Sequence, residues 1–290
     1  MSDQTCTLSS EHLSLAVAPL GAEMQYLRTA SGQELLWHGD KAFWTGRAPI
    51  LFPIVGRAVD DVVRSGKLTA EMAKLGFARR QAFAVEEASQ TRCRHVLRAS
   101  EATRAVYPFE FTLTATLKLD GPTLSVTAQV ANASDAPMPF GFGFHPAFRC
   151  PLPGTDAPQS VTLASGGEPQ QQPLRPDGLL ERALVPGPFC EGRLEITDAL
   201  FENDALVFPG ASEPLRYGPA NGPWLDFAFS NLPDLALWRP VGAPFLCVEP
   251  WHGTASLVGD GPEIAQRPNS LALAPGAGAT FGYRVTFVSA

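Results

Sequence analysis

From Phe109 to Asp120 the chain alternates with hardly a fault. Phe109, Phe111, Leu113, Ala115, Leu117 and Leu119 take the odd positions, and Glu110, Thr112, Thr114, Thr116, Lys118 and Asp120 the even ones. A period of two puts one set on each face of an extended strand, so this stretch is half-buried and cannot be an amphipathic helix. After Gly121-Pro122 the phase restarts, with Leu124, Val126, Ala128 and Val130 on one side and Ser125, Thr127 and Gln129 on the other. Two such runs about a Gly-Pro turn predict an antiparallel hairpin. Phe281, Tyr283, Val285 and Phe287 repeat the pattern near the C-terminus, and shorter runs occupy 13–17, 82–86, 95–99, 224–229 and 235–238. Helical spacing is nearly absent: 196–204 offers at best a turn or two, and 27 prolines leave few windows for a helix. The expectation is an all-β, mostly antiparallel protein with little helix.

At 290 residues with 45% hydrophobic composition the chain can bury a large core, and one domain over 1–290 is the simplest organisation. The Pro/Gly-rich segments 150–158 and 165–178 read as long loops rather than as a linker. A net charge of −7 argues against a nucleic-acid partner or an anionic membrane surface. No apolar run is long enough to span a bilayer, and the opening stretch Met1–Ser10 lacks the basic and apolar regions of a signal peptide. The five cysteines (Cys6, Cys93, Cys150, Cys190 and Cys247) are scattered without a Cys-x-x-Cys pair. Free thiols in a reducing compartment, the cytoplasm by default, are the expectation.

Two stretches carry chemistry. Phe140-Gly-Phe-Gly-Phe-His-Pro-Ala-Phe148 holds one histidine, His145, in an otherwise apolar run. Pro244-Phe-Leu-Cys-Val-Glu-Pro-Trp-His-Gly253 holds a matching lone carboxylate, Glu249, and in both cases proline follows directly. A buried ionisable group needs a partner or a task. Read separately, each is a hydrogen-bonded core residue; read together, an imidazole and a carboxylate at apolar strand ends are the parts of a general acid/base pair.

Other polar residues are weighed against plainer roles. Arg57 closes Leu51-Phe-Pro-Ile-Val-Gly-Arg57 and is either a hydroxyl or phosphate donor or a surface arginine capping a loop. Arg79 and Arg80 are candidate anion donors. Asp204 could accept bonds from hydroxyls or serve as a turn cap. Trp251 and Phe148, beside the two key residues, could form an aromatic platform or simply pack. His12, His38, His95 and His252 have no metal-ligand spacing.

Taken together, Gly21-Ala-Glu-Met24 with Glu34-Leu-Leu-Trp37, Phe43-Trp44 through Gly56-Arg57, Gly76-Phe-Ala-Arg79, Gly143-Phe-His-Pro-Ala-Phe148, Phe201-Glu-Asn-Asp-Ala-Leu206 and Cys247-Val-Glu-Pro-Trp251 resemble the aldose 1-epimerase (galactose mutarotase-like) family, in its LacX-like branch. The resemblance covers essentially the whole chain. It implies a β-supersandwich with a carbohydrate cleft, a small-molecule sugar as partner, a monomer or homodimer, and no metal or organic cofactor. It assigns His145 as general acid to the ring oxygen, Glu249 as general base to the anomeric hydroxyl, and Arg57 and Asp204 to sugar hydroxyls. On that mechanism Glu249 is expected to be ionised and His145 partly charged, with neither pKa far from 7.

One position departs from the pattern. The family usually carries histidine before the Gly-Phe-Ala-Arg segment, and this chain has Leu75. Leucine donates no hydrogen bond, so the expectations stay divided. An epimerase acting on an aldose is favoured; an epimerase acting on a hexose phosphate, or a non-catalytic carbohydrate-binding protein of the same fold, are the alternatives. One of the other histidines, His252 first, could stand in for the missing imidazole. A glycosidase fits less well, because Glu249 has no acidic partner in a comparable setting.

Overall fold

The computed structural model describes residues 5–289; the first four residues of the opening stretch lie outside them. The expected hairpin forms, with Phe111–Asp120 pairing antiparallel with Thr123–Asn132 from Asp120↔Thr123 onward. The odd residues of the first strand and the even residues of the second are buried, as the alternation requires. The C-terminal strand Gly278–Val288 pairs with Thr123–Asn132 on one side and with Trp224–Ser230 on the other. These strands are the centre of a nine-stranded sheet. It runs from Arg193–Glu195 through Ser160–Leu163, Leu215–Gly218, Trp224–Ser230, Gly278–Val288, Thr123–Asn132, Phe111–Asp120 and Arg92–Arg98 to Ala84–Ala88. All its pairings are antiparallel.

A second sheet holds Leu206–Phe208, Asp234–Trp238, Phe245–His252, Phe142–Phe144 and Ile50–Leu51 in that order, with Ala147–Arg149 added beside Phe245–His252. One large apolar cluster joins both sheets. Leu113, Leu117, Val126 and Phe281 from the first meet Phe142, Phe144, Phe148, Leu246 and Val248 from the second. Helix among the described residues is confined to the single turn Glu101–Arg104 and four short 3-10 turns. Ser100 and Thr103 close a capping box on that turn, which is what lets so short a helix persist. Among the described residues no helix is long and apolar enough to cross a membrane.

All five cysteines are free thiols, four of them buried. His95, in Arg92–Arg98, lies opposite Ala115 and Val85 in the nine-stranded sheet and is fully buried. Neither ring nitrogen has a partner, and burial lowers its pKa to about 4.

Candidate active site

The second sheet explains how two residues a hundred positions apart come to face each other. Phe142–Phe144 pairs with Phe245–His252 through Gly143↔Trp251, and Ala147–Arg149 pairs with the same strand through Ala147↔Cys247. The interruption at His145-Pro146 does not shift the register, so His145 falls opposite Glu249. The His145 Nε2 and a Glu249 carboxylate oxygen are 3.1 Å apart. Glu249 was expected at a strand end; instead the strand continues through Pro250 to His252, and the carboxylate projects from its interior. Side chains alternate across a strand, so Cys247, Glu249 and Trp251 share the face that turns away from the inter-sheet core. Gly143 sits under Trp251, where an added Cβ would lie 2.5 Å from the indole Cδ1; a glycine is what lets that ring lie across the neighbouring strand.

This face is the floor of a cleft of about 200 Å³. Trp44 stacks on the His145 ring at 4.8 Å, and Trp238 meets it edge-on at 5.6 Å. Trp44 is itself anchored, because the indole N–H of Trp37 donates to its carbonyl. Leu174, Gly178 and Leu180 form one wall, so the end of the long loop expected over 165–178 borders the site. Lys74, Leu75 and Arg79 line it as well. The chain reaches it through two successive residues of positive φ, Leu75 (71°) and Gly76 (70°), beside Phe52, whose carbonyl oxygen is 2.2 Å from where a Cβ on Gly76 would stand. Behind the floor, the buried Arg267 donates to the carbonyls of Val55, Arg57 and Thr254 and to the Ser256 hydroxyl. It thereby ties together the two segments that contribute Gly56 and Ala255 to the cleft.

Of the residues expected at the site, His145, Glu249, Asp204, Arg79 and Trp251 line this cleft. Arg57 and Phe148 do not. Arg57 forms a two-pronged ion pair with Asp61 and donates to the Asp177 carbonyl, which leaves its guanidinium committed within the protein. Phe148 is three residues from His145 and therefore on the other face of the sheet, fully buried and edge-on to Phe227. No second histidine compensates for Leu75: His252 bonds the Asn231 carbonyl and packs on Phe281, and none of the other three lines the cleft. Trp44, Trp238 and Lys74 were not singled out. Trp44 and Trp238 lie within quoted segments, but nothing in their spacing marks them.

The pair is not poised near neutrality in the way the mechanism suggested. Burial lowers the His145 pKa to about 3, helped by the positive charges of Lys74 and, more weakly, Arg79. Burial likewise raises Glu249 well above the carboxylate range; Lys74 opposes this, Asp204 adds to it, and the nearby indole N–H of Trp251 opposes it without forming a well-aligned hydrogen bond. Desolvation disfavours whichever form is charged, so the pair shares a single proton that rests on the carboxyl group. Cys247 brings its sulfur to within 4.8 Å of the His145 and Glu249 donor atoms, the one such trio among the described residues. Burial pushes its thiol well up.

A sequence model of the aldose 1-epimerase family matches residues 4–171. The plasmid form of protein LacX from Lactococcus lactis subsp. lactis is 28% identical over 288 residues, covering 93% of this chain and 95% of that protein. Two solved structures superpose closely. A galactose mutarotase related enzyme from Lactobacillus acidophilus has a TM-score of 0.93 at 26% identity, over 99% of this chain and 98% of that one. A galactose mutarotase-like protein from Lactobacillus casei has a TM-score of 0.91 at 29% identity, over 98% of this chain and all of that one.

Proposed function

The chain belongs to the aldose 1-epimerase family, and from that premise we propose that it interconverts the α and β anomers of an aldose by opening and reclosing the sugar ring. The observation that carries the reading is the acid/base pair held face to face at the cleft floor, 3.1 Å apart. Ring opening removes a proton from the anomeric hydroxyl and delivers one to the ring oxygen. Once the shared proton has crossed from carboxyl to imidazole, Glu249 as base and His145 as acid do this together without leaving net charge on the sugar. When the ring is open the proton has moved from imidazole to carboxyl, the neutral arrangement that burial favours. Rotation about C1–C2 and the reverse transfers close the ring on the other face and restore the pair. One proton belongs to the pair throughout, so the enzyme returns to its starting state after each turnover. Trp44 and Trp238 fix the imidazole plane, and Asp204 and Arg79 offer an acceptor and a donor for hydroxyls.

Leu75 is the observation that favours a second reading, a sugar-binding module of the same fold. It closes the cleft where the family usually places an imidazole, and no other histidine is near. Binding alone has no use for the buried pair, so catalysis is preferred. Anomer exchange measured by saturation-transfer NMR on a panel of sugars separates the two. Wild type accelerates exchange of at least one sugar, and His145→Ala and Glu249→Gln each lose roughly 10²–10⁴-fold, the usual worth of a positioned acid or base. Line broadening without acceleration for every sugar would make the protein a binding module.

A further inference from the structure

We propose that the sugar this cleft accepts is anionic, carrying a phosphate or carboxylate group held by Lys74 and Arg79; the inference rests on the epimerase reading of the same site. The charges facing the cleft are unbalanced. Lys74 and Arg79 stand on one wall, Asp204 is on another, and His145 and Glu249 share one proton on the floor. Among the described residues neither Lys74 nor Arg79 forms an ion pair. Three other arginines, by contrast, are paired: Arg57 with Asp61, Arg182 with Asp260 and Arg239 with Asp198. The Nε of Arg79 is buried with no partner, and its Nη2 reaches only the Lys74 carbonyl, at a long 3.3 Å. Glu23, whose charge also acts on Arg79, is already accepting from the backbone N–H groups of Arg47 and Ala48.

Buried donors without partners are uncommon in folded proteins, and here they border a cleft. A neutral sugar entering it would strip water from two cations and return no counter-charge, which is costly. An anionic sugar supplies that charge and bidentate acceptors for the guanidinium. The chain as a whole carries a net charge of −7, so a local positive pair is also what an anion needs in order to approach.

The test is anomer exchange and line broadening for glucose and galactose against their 6-phosphates and against glucuronate and galacturonate, with wild type, Lys74→Met and Arg79→Met. The expected result is that wild type binds and turns over one charged series at lower KM than the neutral parents. Each variant then raises that KM about tenfold more than it raises the KM for the neutral sugar, the scale of one charge-assisted hydrogen bond. The phosphate and uronate arms identify which anion is used. Neutral sugars exchanged with no preference for either charged series, and no differential effect in the variants, would overturn the inference and leave the epimerase reading intact. Charged sugars that bind in wild type, lose binding in the variants and never exchange would uphold the anion site while removing the epimerase reading.

Discussion

Replacing His95 by leucine tests the energetics of the core on an acid axis. The ring is fully buried with both nitrogens unpartnered, and its pKa falls from the ordinary 6.5 to about 4. A folded-state pKa below the unfolded one means that the unfolded chain takes up this proton first. The wild type therefore has its full stability above about pH 6.5, loses roughly 1.4 kcal/mol per pH unit below that, and reaches a total loss of about 3 kcal/mol near pH 4. Leucine at the same place carries no such penalty. At pH 7.5 the variant is expected to be at least as stable as wild type, since two unsatisfied polar atoms leave the core. Urea unfolding of both proteins at pH 7.5, 6 and 5 measures the difference, and groups common to the two cancel. The wild-type deficit should widen by about 2 kcal/mol between pH 7.5 and 5. A difference that stays constant with pH would refute the reasoning, because the ring would then have a partner or water in the core that compensates its proton.

Two further outcomes follow from the site. The kcat/KM of wild type should show no acid limb between pH 7 and 5, because burial lowers the His145 pKa to about 3; Trp44→Ala, which uncovers the imidazole, should bring an acid limb into that range and slow exchange by roughly 2- to 10-fold. An inflection near 6.5 in wild type would contradict the burial argument. Arg267→Met leaves the Val55 and Thr254 carbonyls and the Ser256 hydroxyl behind the cleft without that donor, while the Arg57 carbonyl keeps the Ser256 N–H, and should cost about 2–4 kcal/mol in chemical denaturation. A loss under about 1 kcal/mol would mean that the two segments hold together without it.

Much of this architecture was legible because strand alternation is a direct imprint of burial. The hairpin at 111–132 and the C-terminal strand needed nothing beyond residue order. The strand Met24–Thr29 escaped notice because its burial does not alternate, and its pairing with Leu13–Val17 carries a register shift at Ala16/Val17. His145 and Glu249 stood out because a lone ionisable group in an apolar run is conspicuous in one dimension. Phe148 misled for the opposite reason: adjacency in sequence says nothing about face, and an odd offset across His145-Pro146 sends it to the core. Arg57 is similar, since its claim on Asp61 depends on a backbone turn. Lys74 could not have been found by spacing, because what distinguishes it is facing the cleft without an ion-pair partner, a property of three-dimensional surroundings.

The unbroken register across His145-Pro146 separates two design problems. The distance between acid and base is set by the spacing of adjacent strands, a constant of β-structure near 4.8 Å, and not by any loop. The cleft walls at 74–79, 174–180 and 204 lie on turns and connections outside those strands. Loops of that kind can be exchanged to accept a different sugar while the proton-transfer distance stays as it is, which makes this sheet a fixed reaction floor on which substrate choice can be rebuilt.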